Sequence, residues 1–345
     1  MKKTKNGIVH LVWHYPVVCQ TPKEDFFKLC KDAGGGEIVS SKKGFWKTVK
    51  AVWRKDVHSQ GRGFPFPEAA CLFAKRSAYS PHNDTLGSRW YTRAARRFLY
   101  NRYNVVVSEN EYGRHMLVEQ GIKADKVKVL PIPVDYDFFS KPSGGDVFRR
   151  KHKLGVGPLA LVVGIRNVKN PDVILDACKK AGVKAIMVGP CSADDADRTL
   201  KGRDFGWYVP DQKLLSHQNA VFVGQLSAGE LRQAMDAADV FVCSSDYESF
   251  GLAVFEAAAA GLPLCLPKYE SGSYSVGTFD AFRKCALFHE PNDADGLANN
   301  IGKYITNSGL ARRHGLECRK ASKKMDYPSV RRMYENFYSD FFGVR

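Results

Sequence analysis

Two glutamates separated by seven residues, Glu248 and Glu256, lie within the segment DVFVCSSDYESFGLAVFEAAAAGLPLCLP (239–267). Its apolar start reads as a buried strand ending at Cys243, followed by a polar loop and a helix that begins near Gly251. Gly261 stops that helix and Pro263 opens the next strand. The amides of Phe250, Gly251 and Leu252 then sit at a helix N-terminus, where donors lack intrahelical acceptors. Such a terminus cradles a diphosphate or a sugar hydroxyl. Glu248 belongs to the loop, and Glu256 lies about one and a half turns inside the helix. The two carboxylates are therefore placed to hold two ends of one ligand, unless they merely solvate an amphipathic helix. The stretch LVVGIRNVKNP adds Gly164 and two cations, Arg166 and Lys169, on a loop leaving a strand. Cations so placed suit a departing diphosphate. In AVFVGQLSAGELRQAMDAADVFV (220–242), Ser227 caps a helix with Glu230 three residues on, after a turn at Gly224 and Gln225.

The elements that position these residues follow from hydrophobic patterning. Short apolar runs alternate with helical stretches, which predicts parallel α/β architecture. In the first half the predicted strands are 8–13, 56–58, 77–80, 104–107 and 127–130, with helices at 22–33, 42–55, 66–75, 88–101 and 110–120. The stretch KPSGGD (141–146) reads as a linker. A second series has strands at 159–163, 184–188, 220–223, 239–243 and 263–266, and helices at 171–181, 227–237, 251–260 and 293–305. Two doubly wound domains in tandem result, with ligands expected at the carboxyl ends of the strands.

The pair Glu248/Glu256, with S-x-x-E-S-F-G-L before it and E-A-x-A-A-G-L-P after it, resembles the E-x(7)-E signature of glycosyltransferase family 4. The resemblance implies the GT-B fold, two Rossmann-like domains facing across a cleft. It implies domains at 1–141 (acceptor side) and 142–327 (nucleotide-sugar donor), with a last helix near 328–345 returning to the first. It places Glu248 beside the donor sugar, Glu256 on the nucleotide ribose, and Arg166 and Lys169 on the diphosphate, although Ile165 stands where the family usually has Arg. More weakly, DVHSQGRG and SAYSPHND resemble two strand ends of the first domain. They make His82 the residue facing the sugar, with His58 a weaker candidate. The family's glycine-rich loop after the first strand is replaced by HYPVVCQTP, and its N-G before V-D by Ile132-Pro133. Asp135 and Asp137 form a D-x-D that elsewhere binds Mg²⁺ or Mn²⁺; here it coincides with a structural V-D-x-x-x-F segment, so no metal site is expected.

Charge is the other informative property. The 345 residues hold 52 Lys and Arg against 36 Asp and Glu, a net of +16. Residues 1–141 account for +12 of this, with 25 cations against 13 anions. A basic surface confined to one half implies an anionic partner. Residues 42–55, KKGFWKTVKAVWRK, hold six cations and no acid. On a helical wheel Phe45, Trp46, Val49, Val52 and Trp53 fall within roughly 120°, with Lys43, Lys47, Lys50 and Arg54 opposite. That is the pattern of a helix lying on anionic lipid. Residues 89–103 add five Arg and five aromatics, in a helix that the family packs into its core. Nine scattered cysteines with no C-x-x-C pair read as reduced thiols. No run approaches the ~18 apolar residues of a membrane span, and the N-terminus reads as a first strand, not a secretory signal.

The combined expectation is a cytoplasmic, membrane-peripheral, retaining hexosyltransferase. It would take a UDP- or GDP-sugar, transfer to a lipid-linked or glycan acceptor, and need no cofactor or metal. Two rival readings stay open: a glycosyltransferase acting on DNA, whose phosphates would also suit a basic domain, and a catalytically inactive nucleotide-sugar-binding protein.

Overall fold

A computed structural model describes residues 7–12, 22–41, 44–61, 68–82, 89–191, 212–246, 248, 250–268 and 279–344. The chain forms two compact units, Met1–Pro133 with Met325–Arg345, and Val134–Lys324.

The first unit is a six-stranded parallel sheet, order β2-β1-β3-β4-β5-β6. Its strands are β1 (Val9–Val12), β2 (Glu37–Ser40), β3 (Asp56–Gln60), β4 (Arg76–Ser80), β5 (Val105–Ser108) and β6 (Val127–Val129). Between them run α1 (Pro22–Gly34), α2 (Phe45–Val52), α3 (Trp90–Arg102) and α4 (Glu111–Glu119). Strands buried on both faces need helices on both faces. On one face β1, β4 and β5 meet Phe26 and Phe27 of α1; on the other, Val49 and Val52 of α2 and Leu99 and Tyr100 of α3 close the core. The predicted strands appear, and β2 is an addition: its half-exposed EIVS at the sheet edge carries little apolar signal. The helix expected at 66–75 is only a 3-10 turn, Ala70–Leu72. Residues 66 and 67 of that expectation lie outside the described residues, and the chain must be extended again by Arg76.

The second unit is also a parallel six-stranded sheet, order β12-β11-β10-β7-β8-β9. It comprises α5 (Tyr136–Phe139), α6 (Gly145–Lys151), β7 (Leu159–Val163), α7 (Pro171–Lys180), β8 (Lys184–Val188), α8 (Gln212–Leu215), β9 (Ala220–Gly224), α9 (Ala228–Ala237), β10 (Val240–Val242), α10 (Leu252–Ala260), β11 (Leu264–Pro267), β12 (Leu287–His289), α11 (Ala294–Thr306) and α12 (Ser308–Lys323). β12, α6 and α12 were not expected. α12 covers α10 closely because Gly315 has no Cβ; one there would sit 2.1 Å from the Gly261 carbonyl oxygen.

The expected linker at 141–146 is instead part of this unit. The Asp236 carboxylate accepts hydrogen bonds from the amides of Ser143 (3.2 Å), Gly144 (2.9 Å) and Gly145 (2.9 Å). The polarity read as linker composition is thus a capped helix start, and the division falls after Pro133 rather than Lys141.

The final helix, α13 (Tyr327–Phe342), completes the first unit. Val330, Tyr334, Tyr338 and Phe342 join the core around Phe26, and Arg76 donates to the carbonyls of Phe341 (3.1 Å) and Phe342 (2.6 Å) at its C-terminus. Beneath it His58 has both ring nitrogens engaged, Nδ1 with the Tyr338 hydroxyl (2.7 Å) and Nε2 with Ser80 Oγ (2.8 Å). Burial lowers the His10 pKa to about 4, against a hydrogen bond to Gly35 that raises it. Burial, with His10 and His82 nearby, holds His58 well below the usual histidine range. Unfolded, both take up a proton near pH 6.5; folded, they resist until much lower pH. Stability of this unit is therefore full above about 6.5 and falls as pH drops toward about 4. We expect the urea midpoint of the first unit to decline steadily between pH 7 and pH 4.5, His10 alone contributing roughly 3 kcal/mol by the end of its window. A flat midpoint over that range would contradict the buried-neutral assignment.

Candidate functional site

β7 and β10 are parallel neighbours, Ala160 opposite Val240 and Leu161 opposite Phe241. Their carboxyl ends therefore release two loops side by side, 164–170 and 243–251, and they carry Gly164, Arg166, Lys169, Glu248, Phe250 and Gly251 of the residues singled out from sequence. The loops are joined by backbone as well as side chains. The Asp246 amide donates to the Val168 carbonyl (2.8 Å), and Asn170 Nδ2 donates to the Ser244 carbonyl (2.9 Å) and to Asp246 Oδ1 (2.6 Å). Asn170 can serve because it adopts φ 50°, in the left-handed region, which Asn tolerates better than most residues. Pro171 then opens α7 in its first turn.

On this frame Lys169 Nζ forms an ion pair with Glu248, and Ser245 Oγ donates to the same carboxylate oxygen at 2.9 Å. Both side chains of the pair are largely buried. Burial pulls the Lys169 pKa down, but the Glu248 charge outweighs it and the net shift is upward. Gly164 lies beneath; at φ 93° its missing Cβ would stand 3.3 Å from Lys169 Cε. Arg166 extends from the same loop and is exposed.

Gly251, at φ 77°, is the N-cap of α10 and, as a glycine, offers no side chain to cap it. The Leu252 and Ala253 amides are thus first-turn donors that the helix cannot satisfy. Phe250 is buried and stacked on Phe255, ring centroids 4.8 Å apart. Inside the helix Glu256 is only 7% exposed. Burial, with a smaller contribution from Asp135, raises its pKa to about 8, so near neutral pH it is mostly a protonated hydrogen-bond donor. Asp135 itself caps α5, accepting from the Phe138 amide at 3.1 Å. Gly224, φ 72°, ends β9 and accepts from the Gly189 amide at 3.0 Å. Ser227 and Glu230 form the expected capping box on α9. Among the described residues no group of three or more His, Cys, Asp and Glu is arranged to hold a metal ion.

In the first unit His82 follows β4 at φ 53°. Its Nδ1 lies 2.6 Å from Glu109 Oε1, its ring packs against Phe26 and Phe27, and its Nε2 is buried with no hydrogen-bond partner among the described residues. His58, by contrast, is committed to the core. The expected membrane stripe is divided. Thr48, Val49 and Val52 of α2 face the sheet, while Phe45, Trp46 and Trp53 are exposed beside Lys47, Lys50 and Arg54. The reason is geometric: a helix resting on a sheet turns positions 48, 49 and 52 inward, and Trp53 already leaves the helix as its C-cap. Phe45 and Trp53 both contact Phe73 after the 3-10 turn. α3 buries only Leu99 and Tyr100, leaving Trp90, Tyr91 and Phe98 exposed among Arg93, Arg97 and Arg102. Seven of the eleven large apolar residues exposed among those described lie in α2, the turn at 70–72 and α3 or beside them. Lys43 and the loop 14–21 lie outside the described residues. No helix among the described residues is long and apolar enough to cross a membrane.

Sequence reasoning missed Asn170, Ser245, Asp246 and Glu109. The Asn-Pro dipeptide signals the first. The others become visible only when neighbouring strands bring their loops together.

Comparison with known proteins agrees with this architecture. Residues 147–324 match the family described as Glycosyl transferases group 1. The chain is 28% identical over 237 residues to D-inositol 3-phosphate glycosyltransferase of Xylanimonas cellulosilytica, covering 65% of this chain and 53% of that protein. It is 30% identical over 123 residues to sulfoquinovosyl transferase SQD2 of Arabidopsis thaliana, 35% of this chain and 24% of that one. The chain thus spans about half the length, or less, of these curated relatives. Among solved structures, Anabaena Alr3699/HepE in complex with UDP-glucose superposes with a TM-score of 0.73 at 15% identity, covering 97% of this chain and all of the other. WaaG, a glycosyltransferase involved in lipopolysaccharide biosynthesis, gives 0.63 at 14%, covering 97% and 100%. With two parallel six-stranded sheets and a family match over the unit that holds the Lys169–Glu248 pair, the chain has the GT-B fold and belongs to the glycosyl transferases group 1.

Proposed function

We propose that this chain is a retaining glycosyltransferase that moves a hexose from a nucleotide-diphosphate sugar to a lipid-linked or glycan acceptor at an anionic membrane surface. The observation that carries the reading is the charged pair Lys169–Glu248 beside the uncapped N-terminus of α10, with buried Glu256 on the same helix. A diphosphate competes with Glu248 for Lys169. Once Lys169 and Arg166 turn to phosphate, the Glu248 carboxylate is released to accept from hydroxyls of the sugar. Amides at Phe250, Gly251 and Leu252 donate to the phosphates, and Glu256 holds the ribose. Gly164 and Gly224 keep backbone close to the nucleotide, and His82 meets the sugar. The charge that develops on the leaving diphosphate is stabilised by these fixed donors, which supplies most of the rate. In the front-face displacement of the family, the acceptor oxygen bonds to the anomeric carbon on the face from which the diphosphate leaves, which retains the anomeric configuration, and the leaving phosphate takes the acceptor proton. The complex of HepE with UDP-glucose supports a uridine nucleotide as the first to be tried.

Isothermal titration with UDP-glucose and GDP-mannose tests the donor site. Glu256→Ala is expected to weaken binding by about 0.5–1.5 kcal/mol, the range for a hydrogen bond between neutral groups, while Glu248→Gln lowers turnover with little change in affinity. If both variants bind and turn over donor like the parent, the site is elsewhere.

Asp135 of the D-x-D is engaged as a helix cap, and the positive charge at the site comes from Lys169 and Arg166. We therefore expect donor turnover to survive EDTA. Abolition by chelator with rescue by Mn²⁺ would reverse that assignment.

Membrane association rests on the exposed aromatics among cations on α2. Each Lys or Arg near an anionic surface contributes about 1 kcal/mol, within a Debye length. The protein should co-sediment with phosphatidylserine-containing liposomes, less so at high salt and little with neutral ones. Trp46→Ser with Trp53→Ser should release it and leave nucleotide binding intact. Retention of that double variant would point to adsorption by charge alone and favour a nucleic-acid acceptor.

A further inference from the structure

We propose that Glu109 is a positioning residue that holds the His82 imidazole in the tautomer protonated at Nδ1, so that Nε2 presents its lone pair to a hydroxyl of the bound sugar. The second half rests on the reading of His82 as the sugar-facing residue. The first half rests on geometry alone.

β4 and β5 are parallel neighbours, with Ala78 opposite Val105 and Tyr79 opposite Val106. His82 follows the end of β4 and Glu109 the end of β5, so the two side chains leave adjacent strand ends and meet at 2.6 Å. Each is about one-tenth exposed, 10% for His82 and 11% for Glu109. The backbone of Glu109 is fixed on both sides. Ser108 Oγ donates to the Asn110 carbonyl at 3.0 Å, and the Asn110 side chain caps α4 by accepting from the Gly113 amide at 2.7 Å. The imidazole is walled by Phe26, edge-on at 5.5 Å, and by Phe27 at 6.3 Å. His82 also takes φ 53°, a strained conformation for a residue with a Cβ. The fold thus fixes ring, carboxylate and backbone together.

This arrangement dictates the chemistry of whatever Nε2 meets. A carboxylate only accepts hydrogen bonds, so Nδ1 must donate to Glu109, and in the neutral ring Nε2 is then an acceptor. That nitrogen is buried without a partner among the described residues, and a buried polar atom left unpaired is costly. The group that satisfies it must donate. A hydroxyl of a polyol does so; a phosphate oxygen or a carboxylate does not. His58, one strand over, has both nitrogens engaged by the protein itself; His10 of β1, like His82, keeps one buried ring nitrogen without a partner among the described residues, but its other nitrogen meets the Gly35 carbonyl rather than a carboxylate.

Two-bond ¹H–¹⁵N correlation spectra of the full chain labelled with ¹⁵N-histidine read the tautomer directly, His82 being assigned by its loss in His82→Gln. The parent should show the Nδ1–H form. Glu109→Gln should keep it, because the amide oxygen accepts from the same nitrogen, and Glu109→Ala should give a tautomer mixture. An Nε2–H signal in the parent, or no change in Glu109→Ala, overturns the proposal. UDP-glucose turnover provides the second readout. Glu109→Ala should lower kcat about ten-fold, Glu109→Gln should recover most of it, and Glu109→Ala should cost nothing further in a His82→Ala background. Fully additive losses would make Glu109 a structural residue and overturn its action through His82. If His82→Ala alone turns over donor like the parent, the sugar-facing role of His82 fails, while the spectra still decide whether Glu109 holds the ring.

Discussion

The site depends on Lys169 and Glu248 meeting on two loops that are far apart in sequence and adjacent in space. Their proximity follows from strand order: β7 and β10 are hydrogen-bonded neighbours, so what leaves their carboxyl ends shares one edge of the sheet. Asn170 and Asp246 then tie the loops at the backbone. A buried ammonium is tolerated only when an opposite charge compensates its desolvation. Neither member of the pair would stay in place without the other, and the loops would lose their shared geometry.

How much of this was legible in the sequence varied with the distance over which the controlling interaction acts. Local signals read well. The turn at Gly251, the stop at Gly261, the Ser227–Glu230 capping box and the buried runs of β7 to β10 each depend on a few consecutive residues. Glu248 and Glu256 stand out because a family motif carries their spacing, and Arg166 and Lys169 because they are cations on a loop leaving a strand. Tertiary relations read poorly. Polar, glycine-rich 141–146 has the composition of a linker, and only Asp236, distant in sequence, turns it into an ordered helix start. Glu109 resembles any acid before a helix until β4 brings His82 beside it. The amphipathic wheel at 42–55 took all five apolar residues as one lipid-facing stripe, whereas Val49 and Val52 are buried. A flat sheet needs only the narrower set at 48, 49 and 52, which leaves the aromatics at 45, 46 and 53 outside.

That displacement changes the character of the surface. Had the tryptophans been core residues, the basic charge of the first unit would be a diffuse field. Instead the exposed aromatics of α2 and α3 sit among arginines and lysines, a combination that couples attraction at a distance to apolar contact at short range. Arg96 is the exception on α3: it turns inward to the buried Glu68 at 3.1 Å and anchors the helix that displays the others.

The chain's last helix has a consequence for biosynthesis. α13 belongs to the unit that begins at the N-terminus, and Tyr338 supplies both core packing and the hydroxyl that satisfies His58. Translation proceeds at roughly 5–20 residues per second, and domains made first generally fold first. Here the first unit emerges early but lacks one wall of its core until residues 325–344 leave the ribosome. The second unit, contiguous from Val134 to Lys324, is complete before the first can close. During that interval the apolar face around Phe26 lacks the cover that Val330, Tyr334, Tyr338 and Phe342 later provide.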